Sequence, residues 1–150
     1  MEITLSKEIT APASRVWQII TDLEGCVQVI TGIDSIEILA GEEQFGVGTR
    51  WRETRTMLGK QTTEEMEVTA IEPGRFYVVE AGRAGLLYRS TLTVGALGDE
   101  RSRLSMTFSA EPKGMAARVL AATVGRLFVG FTRKALRQDL DDVTAAAEAG

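Results

Sequence analysis

Histidine is absent from this chain, and Cys26 is the only cysteine among its 150 residues. These two shortages remove much of the common chemistry of protein sites. The usual His/Cys zinc sets cannot be assembled, nor can a Ser-His-Asp or Cys-His nucleophile. A lone cysteine excludes an internal disulfide. For a metal only an all-carboxylate site would remain, and no Asp/Glu spacing matches a calcium loop. The expectation is no metal and no cofactor. Long apolar runs are also missing: the longest, around Val119–Val124 and Leu127–Phe131, are separated by Arg126 and too short to span a bilayer. The opening Met1-Glu2-Ile3-Thr4 has neither the basic start nor the apolar run of a signal peptide. A cytoplasmic protein without stable membrane insertion is expected. Positive charge is not in excess, and a net charge of −4 gives no electrostatic footprint for nucleic acid. Arg50, Arg52 and Arg55 do cluster, but strand alternation divides them between two faces, with Glu53 among them.

What is present is an ordinary globular mixture, 44% hydrophobic and 25% charged. The length suits one domain, residues 1–150, with enough chain to bury a core unaided. Either a monomer or a homodimer fits. Residues 2–10 read as a strand with Ile3, Leu5 and Ile9 in one phase. Thr10-Ala11-Pro12 then starts a helix carrying Val16, Trp17, Ile19, Ile20 and Leu23 at helical spacing, ending near Asp22 and Gly25. Val27–Ile30 is either a second short helix or a loop. Strands follow at Ile33–Leu39, Thr49–Met57, Gln61–Ile71, Arg75–Ala81, Leu86–Val94 and Arg103–Ala110. The connections are short: Leu58-Gly59-Lys60, Glu72-Pro73-Gly74, Gly82–Gly85 and a turn around Gly98-Asp99. Strands joined this way run antiparallel.

From Lys113 to Ala147 no proline interrupts a stretch rich in alanine, leucine and charge, which predicts one long helix. Its first half places Leu120, Val124, Leu127 and Phe131 on one face, widened by Val119 and Phe128. Its second half carries Leu136, Leu140, Val143 and Ala147 on a face rotated from the first. Something curved should wrap the first half and a narrower contact hold the second. Gly125 and Gly130 are candidate points of bending or close approach.

This order, with the corner residues Ile9-Thr10-Ala11-Pro12, Val16-Trp17, Asp22, Ile36-Glu37-Ile38-Leu39, Gly46-Val47-Gly48-Thr49 and Val68…Glu72-Pro73-Gly74, resembles the START-like or SRPBCC superfamily. Within it the likeness is to polyketide cyclase/dehydrase-like proteins. The resemblance implies an α+β helix-grip: an antiparallel sheet of about seven strands curled around a long C-terminal helix, with one or two short helices after strand 1 and a deep cavity between. Its matching motifs are structural corners, so it speaks to fold before function.

Alternation nominates residues for such a cavity. Trp51 turned inward brings Glu53 and Arg55 with it, and Met66 brings Glu64. Later strands add Tyr88 and Ser90, then Met106; the helix would add Leu127, Phe128 and Phe131. For Arg75–Ala81 the inner set is either Phe76, Val78 and Glu80 or Tyr77, Val79 and Ala81. A four-residue connection at Leu58–Gln61 would make Arg55 and Glu64 cross-strand neighbours. Glu53, Arg55 and Glu64 face either the cavity or solvent, since a bulge would turn them outward. Inside, they would need partners, and an arginine between carboxylates could orient a ligand's carbonyl or hydroxyl.

Three functions compete. Without a nucleophile, the leading one is non-catalytic binding of a small apolar or aromatic molecule, lipid-like or polyketide-like. The alternative is an aromatase/cyclase or dehydratase, in which Glu64 or Glu53 accepts a proton and Arg55 and Tyr88 polarise the substrate. A third is a partner-binding or membrane-associated module, through Arg118, Arg126, Arg133, Lys134 and Arg137. Asp139, Asp141 and Asp142 follow at once, which argues instead for a plain solvated helix face.

Overall fold

Strand β1 (Glu2–Ile9) leads into two short helices, α1 (Ala13–Thr21) and α2 (Leu23–Val29), in this computed structural model. A meander follows: β2 (Ile33–Ala40), β3 (Arg50–Met57), β4 (Lys60–Glu72), β5 (Phe76–Arg83), β6 (Leu86–Ala96) and β7 (Ser102–Pro112). Helix α3 (Met115–Ala149) ends the chain. The structure describes residues 1–57, 59–83 and 85–149, and of Arg83, Leu120, Ala121 and Val124 the backbone alone. All seven strands form one antiparallel sheet in the order β1-β7-β6-β5-β4-β3-β2. This is the helix-grip arrangement, and α1 and α2 carry the chain from one edge of the sheet to the other.

Local chemistry explains the corners. The segment 27–29 is helical and Ile30 is its extended C-cap, because Asp22 both ends α1 and caps α2, its Oδ1 accepting from Gly25 N at 3.1 Å. Gly25, expected to mark an end, therefore lies inside α2. Register shifts in β2, and between Val68 and Ala70 in β4, put extra residues into those strands and bend the sheet. Before β3 the chain doubles back so closely that a side chain at Gly41 (φ 79°) would strike the Thr49 backbone. Thr49 is buried there, its hydroxyl accepting from Gly46 N.

The core sits at the end of the molecule where α1 meets the second half of α3. Ile9, Val16, Ile20, Val68, Leu104, Leu140 and Val143 are almost wholly buried and in one cluster. Each contributes about 1.5–3 kcal/mol by leaving water. The carboxylates on this half of α3 are also used: Asp141 pairs with Lys7, Asp142 accepts from the Thr31 N–H and hydroxyl, and Glu148 accepts from Thr10 N.

The expected division of α3 is reversed. Its second half is the gripped one, whereas Val119, Leu127 and Phe131 in the first half are 61%, 65% and 39% exposed. The side chains of Leu120 and Val124 lie outside the described residues. Apolar spacing signals a face that could be buried, but here the sheet's concave side holds a hollow, and among the described side chains between Met115 and Phe131, Phe128 reaches it. Gly125 and Gly130 approach nothing within 4 Å. The β3–β4 connection is tighter than expected. Met57 pairs with Lys60 across Gly59 (φ 75°), so Arg55 stands opposite Thr62 and Glu64 opposite Glu53. Leu58, placed in that connection, and Gly150 at the tail lie outside the described residues.

Candidate ligand cavity and its charged end

Between the concave face of the sheet and α3 lies a cavity of about 350 Å³, within the size range of small-molecule sites. The pleat determines which side chains enter it. Along β3 the inner positions are Trp51, Glu53 and Arg55, while Arg52 turns outward to Glu37 and Glu65. Along β4 they are Thr62, Glu64 and Met66; β6 supplies Tyr88, Ser90 and Leu92, and β7 supplies Leu104, Met106 and Phe108. On β5 the choice falls on Tyr77 and Val79, with Ala81 buried in the same phase.

One end is charged. Arg55 donates through Nε to Glu53 Oε2 at 2.6 Å, and through Nη1 and Nη2 to the two oxygens of Asp139 at 3.2 and 3.0 Å. Trp51 Nε1 donates to the other Glu53 oxygen at 3.3 Å. Glu53 and Asp139 are each only 6% exposed, so this is a buried cluster with two carboxylates on one guanidinium. Pairing keeps the charges there, since removing one partner would strand the others out of water. Burial pulls the Arg55 pKa down, but Asp139 and Glu53 outweigh it and hold the guanidinium above its usual range. Burial pushes Asp139 up from the ordinary carboxylate value, partly countered by Arg55 and reinforced by Glu53. Three of the five guanidinium N–H groups serve the carboxylates, leaving two to meet a ligand oxygen.

The neighbouring wall is inert at neutral pH. Burial, with Glu53 adding, raises the Cys26 thiol to about 12, so it is protonated and not a nucleophile. Burial likewise raises Tyr77, whose hydroxyl donates to Ile20 O at 3.0 Å. The far end is aromatic: Tyr88 stacks near Phe108 and Phe128, with ring centroids 5.7 and 6.4 Å apart. Among the described residues no group of His, Cys, Asp and Glu is placed to hold a metal ion.

Of the residues nominated from sequence, Trp51, Glu53, Arg55, Glu64, Met66, Tyr88, Ser90, Met106 and Phe128 line the cavity. Leu127 and Phe131 do not; they stand on the outer side of α3 because Phe128 occupies the inward position. Asp139 was missed, having been grouped with the solvated acids that follow it. The signal was available: it sits three residues after Leu136 and four before Val143, a charge on the apolar stripe. Cys26 was missed likewise, three residues after Leu23 on the buried side of α2.

A sheet gripping a helix around a hollow defines a class of small-molecule-cavity folds. The chain belongs to the polyketide cyclase/dehydrase and lipid transport family, whose model matches residues 1–148. No curated protein matches the chain in sequence. Among solved structures it is similar to the Zhui aromatase/cyclase from Streptomyces sp. R1128, with TM-score 0.82 and 16% identity over 99% of this chain and 93% of that one. It is also similar to a protein of Thermus thermophilus, with TM-score 0.72 and 23% identity over 98% and 99% of the two chains. A third is norcoclaurine synthase from Thalictrum flavum in complex with dopamine and hydroxybenzaldehyde, with TM-score 0.73 and 16% identity over 97% and 85%. No helix among the described residues is long and apolar enough to cross a membrane.

Proposed function

We propose that this protein binds a small apolar or aromatic molecule in the cavity, with the molecule's body against Met66, Met106 and the aromatic end and its polar group at Arg55. The supporting observation is the hollow itself, apolar over most of its wall and carrying one buried charged cluster. The two remaining N–H groups of Arg55 favour a ligand whose polar end accepts hydrogen bonds, such as a hydroxyl or carbonyl, and the two carboxylates already on the arginine disfavour one ending in a carboxylate. The reading treats residues 1–150 as one domain working in the cytoplasm, as a monomer or homodimer. A thermal-shift screen of fatty acids, sterols, flavonoids and aromatic polyketides tests it. Ligand at 100 times its Kd should add about 2.7 kcal/mol, roughly 5–10 °C for a chain of this size. No shift in any class overturns the reading.

A second reading, aromatase/cyclase or dehydratase, is favoured by Arg55 beside carboxylates in a water-poor site and by the likeness to the Streptomyces cyclase. Arg55 would polarise a substrate carbonyl while Glu53 or Glu64 takes a proton, and Tyr88 would help to hold the chain. Turnover of a poly-β-ketone analogue that falls in Arg55→Lys, with ligand binding kept, supports it. Turnover unchanged in that variant removes it.

A further inference from the structure

The acids that argued against a docking role for α3 are engaged elsewhere: Asp139 binds Arg55, Asp141 pairs with Lys7, and Asp142 accepts from Thr31. From Lys113 to Arg137 there is then no acidic residue, but there are six cations: Lys113, Arg118, Arg126, Arg133, Lys134 and Arg137. Among the described residues none of the six forms an ion pair. At about 100° per residue, Arg126, Arg133 and Arg137 fall within about 40° of one another, with Lys134 about 60° beyond. Met115 and Val119 share that arc, and Leu127 and Phe131 continue it toward Phe128 on the cavity side. All four are exposed, Met115 at 77%. Met57, at the end of β3, is exposed and lines the cavity, as does Phe128 from α3, so the cavity has an open side at Met57.

We propose that the middle of α3, from Arg126 to Arg137, docks on an anionic lipid surface, its arginines and Lys134 on the head groups and Leu127 and Phe131 among the upper acyl chains. The exposed face of this stretch is cationic along one side, at Arg126, Arg133 and Arg137, and apolar along the other, at Leu127 and Phe131, the pattern of interfacial helices. Charge complementarity chooses the occupant. A second copy meeting this face symmetrically would set cations against cations, whereas an anionic bilayer offers dispersed negative charge and an apolar layer together. The inference does not depend on what the cavity holds.

Flotation with vesicles of phosphatidylcholine alone, and of phosphatidylcholine with 30% phosphatidylglycerol, tests it on the intact chain. Binding is expected to the anionic vesicles only, falling steeply between 50 and 500 mM salt. Each of Arg126→Gln and Arg133→Gln should lower the partition coefficient about five-fold, and Leu127→Glu with Phe131→Glu should abolish it. These side chains are exposed, so the variants should keep the wild-type unfolding midpoint. Arg75→Gln, a cation removed on the β4–β5 turn, should change nothing. Equal recovery on both vesicle types, or binding that survives Leu127→Glu with Phe131→Glu, overturns the proposal. So does failure to bind either vesicle, including the case where an acidic protein is captured instead.

Discussion

Between Leu136 and Ala147, α3 buries four apolar side chains and engages three aspartates with Arg55, Lys7 and Thr31. Between Met115 and Phe131 it leaves four large apolar side chains exposed, and its one described side-chain hydrogen bond, Thr123 to Val119 O, stays within the helix. The two stretches have similar helix propensity, so propensity does not separate them. What does is the surface each is offered. The second half meets β1 and α1 directly, while the first half spans the hollow side of the sheet. One continuous helix thus has a half that holds the fold and lines the charged end of the cavity, and a half that stands largely exposed.

Removing the anchor of the gripped half should have the largest effect. Arg55→Ala leaves Glu53 and Asp139 buried without their cation, and a loss of about 3–5 kcal/mol is expected in denaturant unfolding. Leu140→Ala opens space in the core and should cost about 2–5 kcal/mol. Leu127→Ala, one of the exposed residues of the other half, should change stability by less than about 0.5 kcal/mol. Comparable losses from Leu140→Ala and Leu127→Ala would erase the distinction between the halves.

Much of this arrangement is legible in the sequence, for a physical reason. Strand alternation follows a strict period of two, so Trp51, Glu53 and Arg55 had to share a face, and only the face was open. Tertiary contact chose it: Asp139, 84 residues away, is the partner that draws Arg55 inward. Periodicity on α3 identified apolar faces but not which would be covered, because that depends on whether the opposing sheet is packed or hollow. Phe128 went in and Phe131 stayed out for that reason. The Arg55–Glu64 pairing failed on turn length alone, since a two-residue shortening shifts every cross-strand partner.

The charged end of the cavity should show itself in pH dependence. Cys26 rises from the ordinary 9.0 to about 12 in the folded chain. A group held protonated by folding contributes stability that is complete below its unfolded pKa and is lost as pH rises through the folded one. Stability should therefore fall between pH 9 and 12 by on the order of a few kcal/mol, and Cys26→Ala should make that limb shallower, the remainder coming from Tyr77, raised with the same sign. Asp139, raised for the same reason, has the same sign at acid pH: its contribution is complete below the unfolded carboxylate value and declines as pH rises past it. Asp139→Asn should remove this slope. Thiol-modifying reagents at pH 8 should react with Cys26 far more slowly than with a free thiol, because the raised pKa keeps it protonated, and reaction at the free-thiol rate would contradict this.

Gly125→Ala should produce the smallest shift of the global midpoint and resolves the comparison most finely. A Cβ at this position meets nothing within 4 Å, so the substitution acts through helix propensity and unfolded-chain entropy, about 0.4–1 kcal/mol. If the two halves of α3 unfolded as one unit, that gain would raise the global midpoint by roughly 1–4 °C. With the first half largely exposed, its opening should precede global unfolding. The midpoint should then move by less than about 1 °C, while amide exchange slows about three-fold for residues 117–131 and stays unchanged for 136–147. A full shift of the midpoint with uniform slowing would mean that the sheet grips the whole helix, through contacts that the exposed positions of Val119 and Leu127 do not supply.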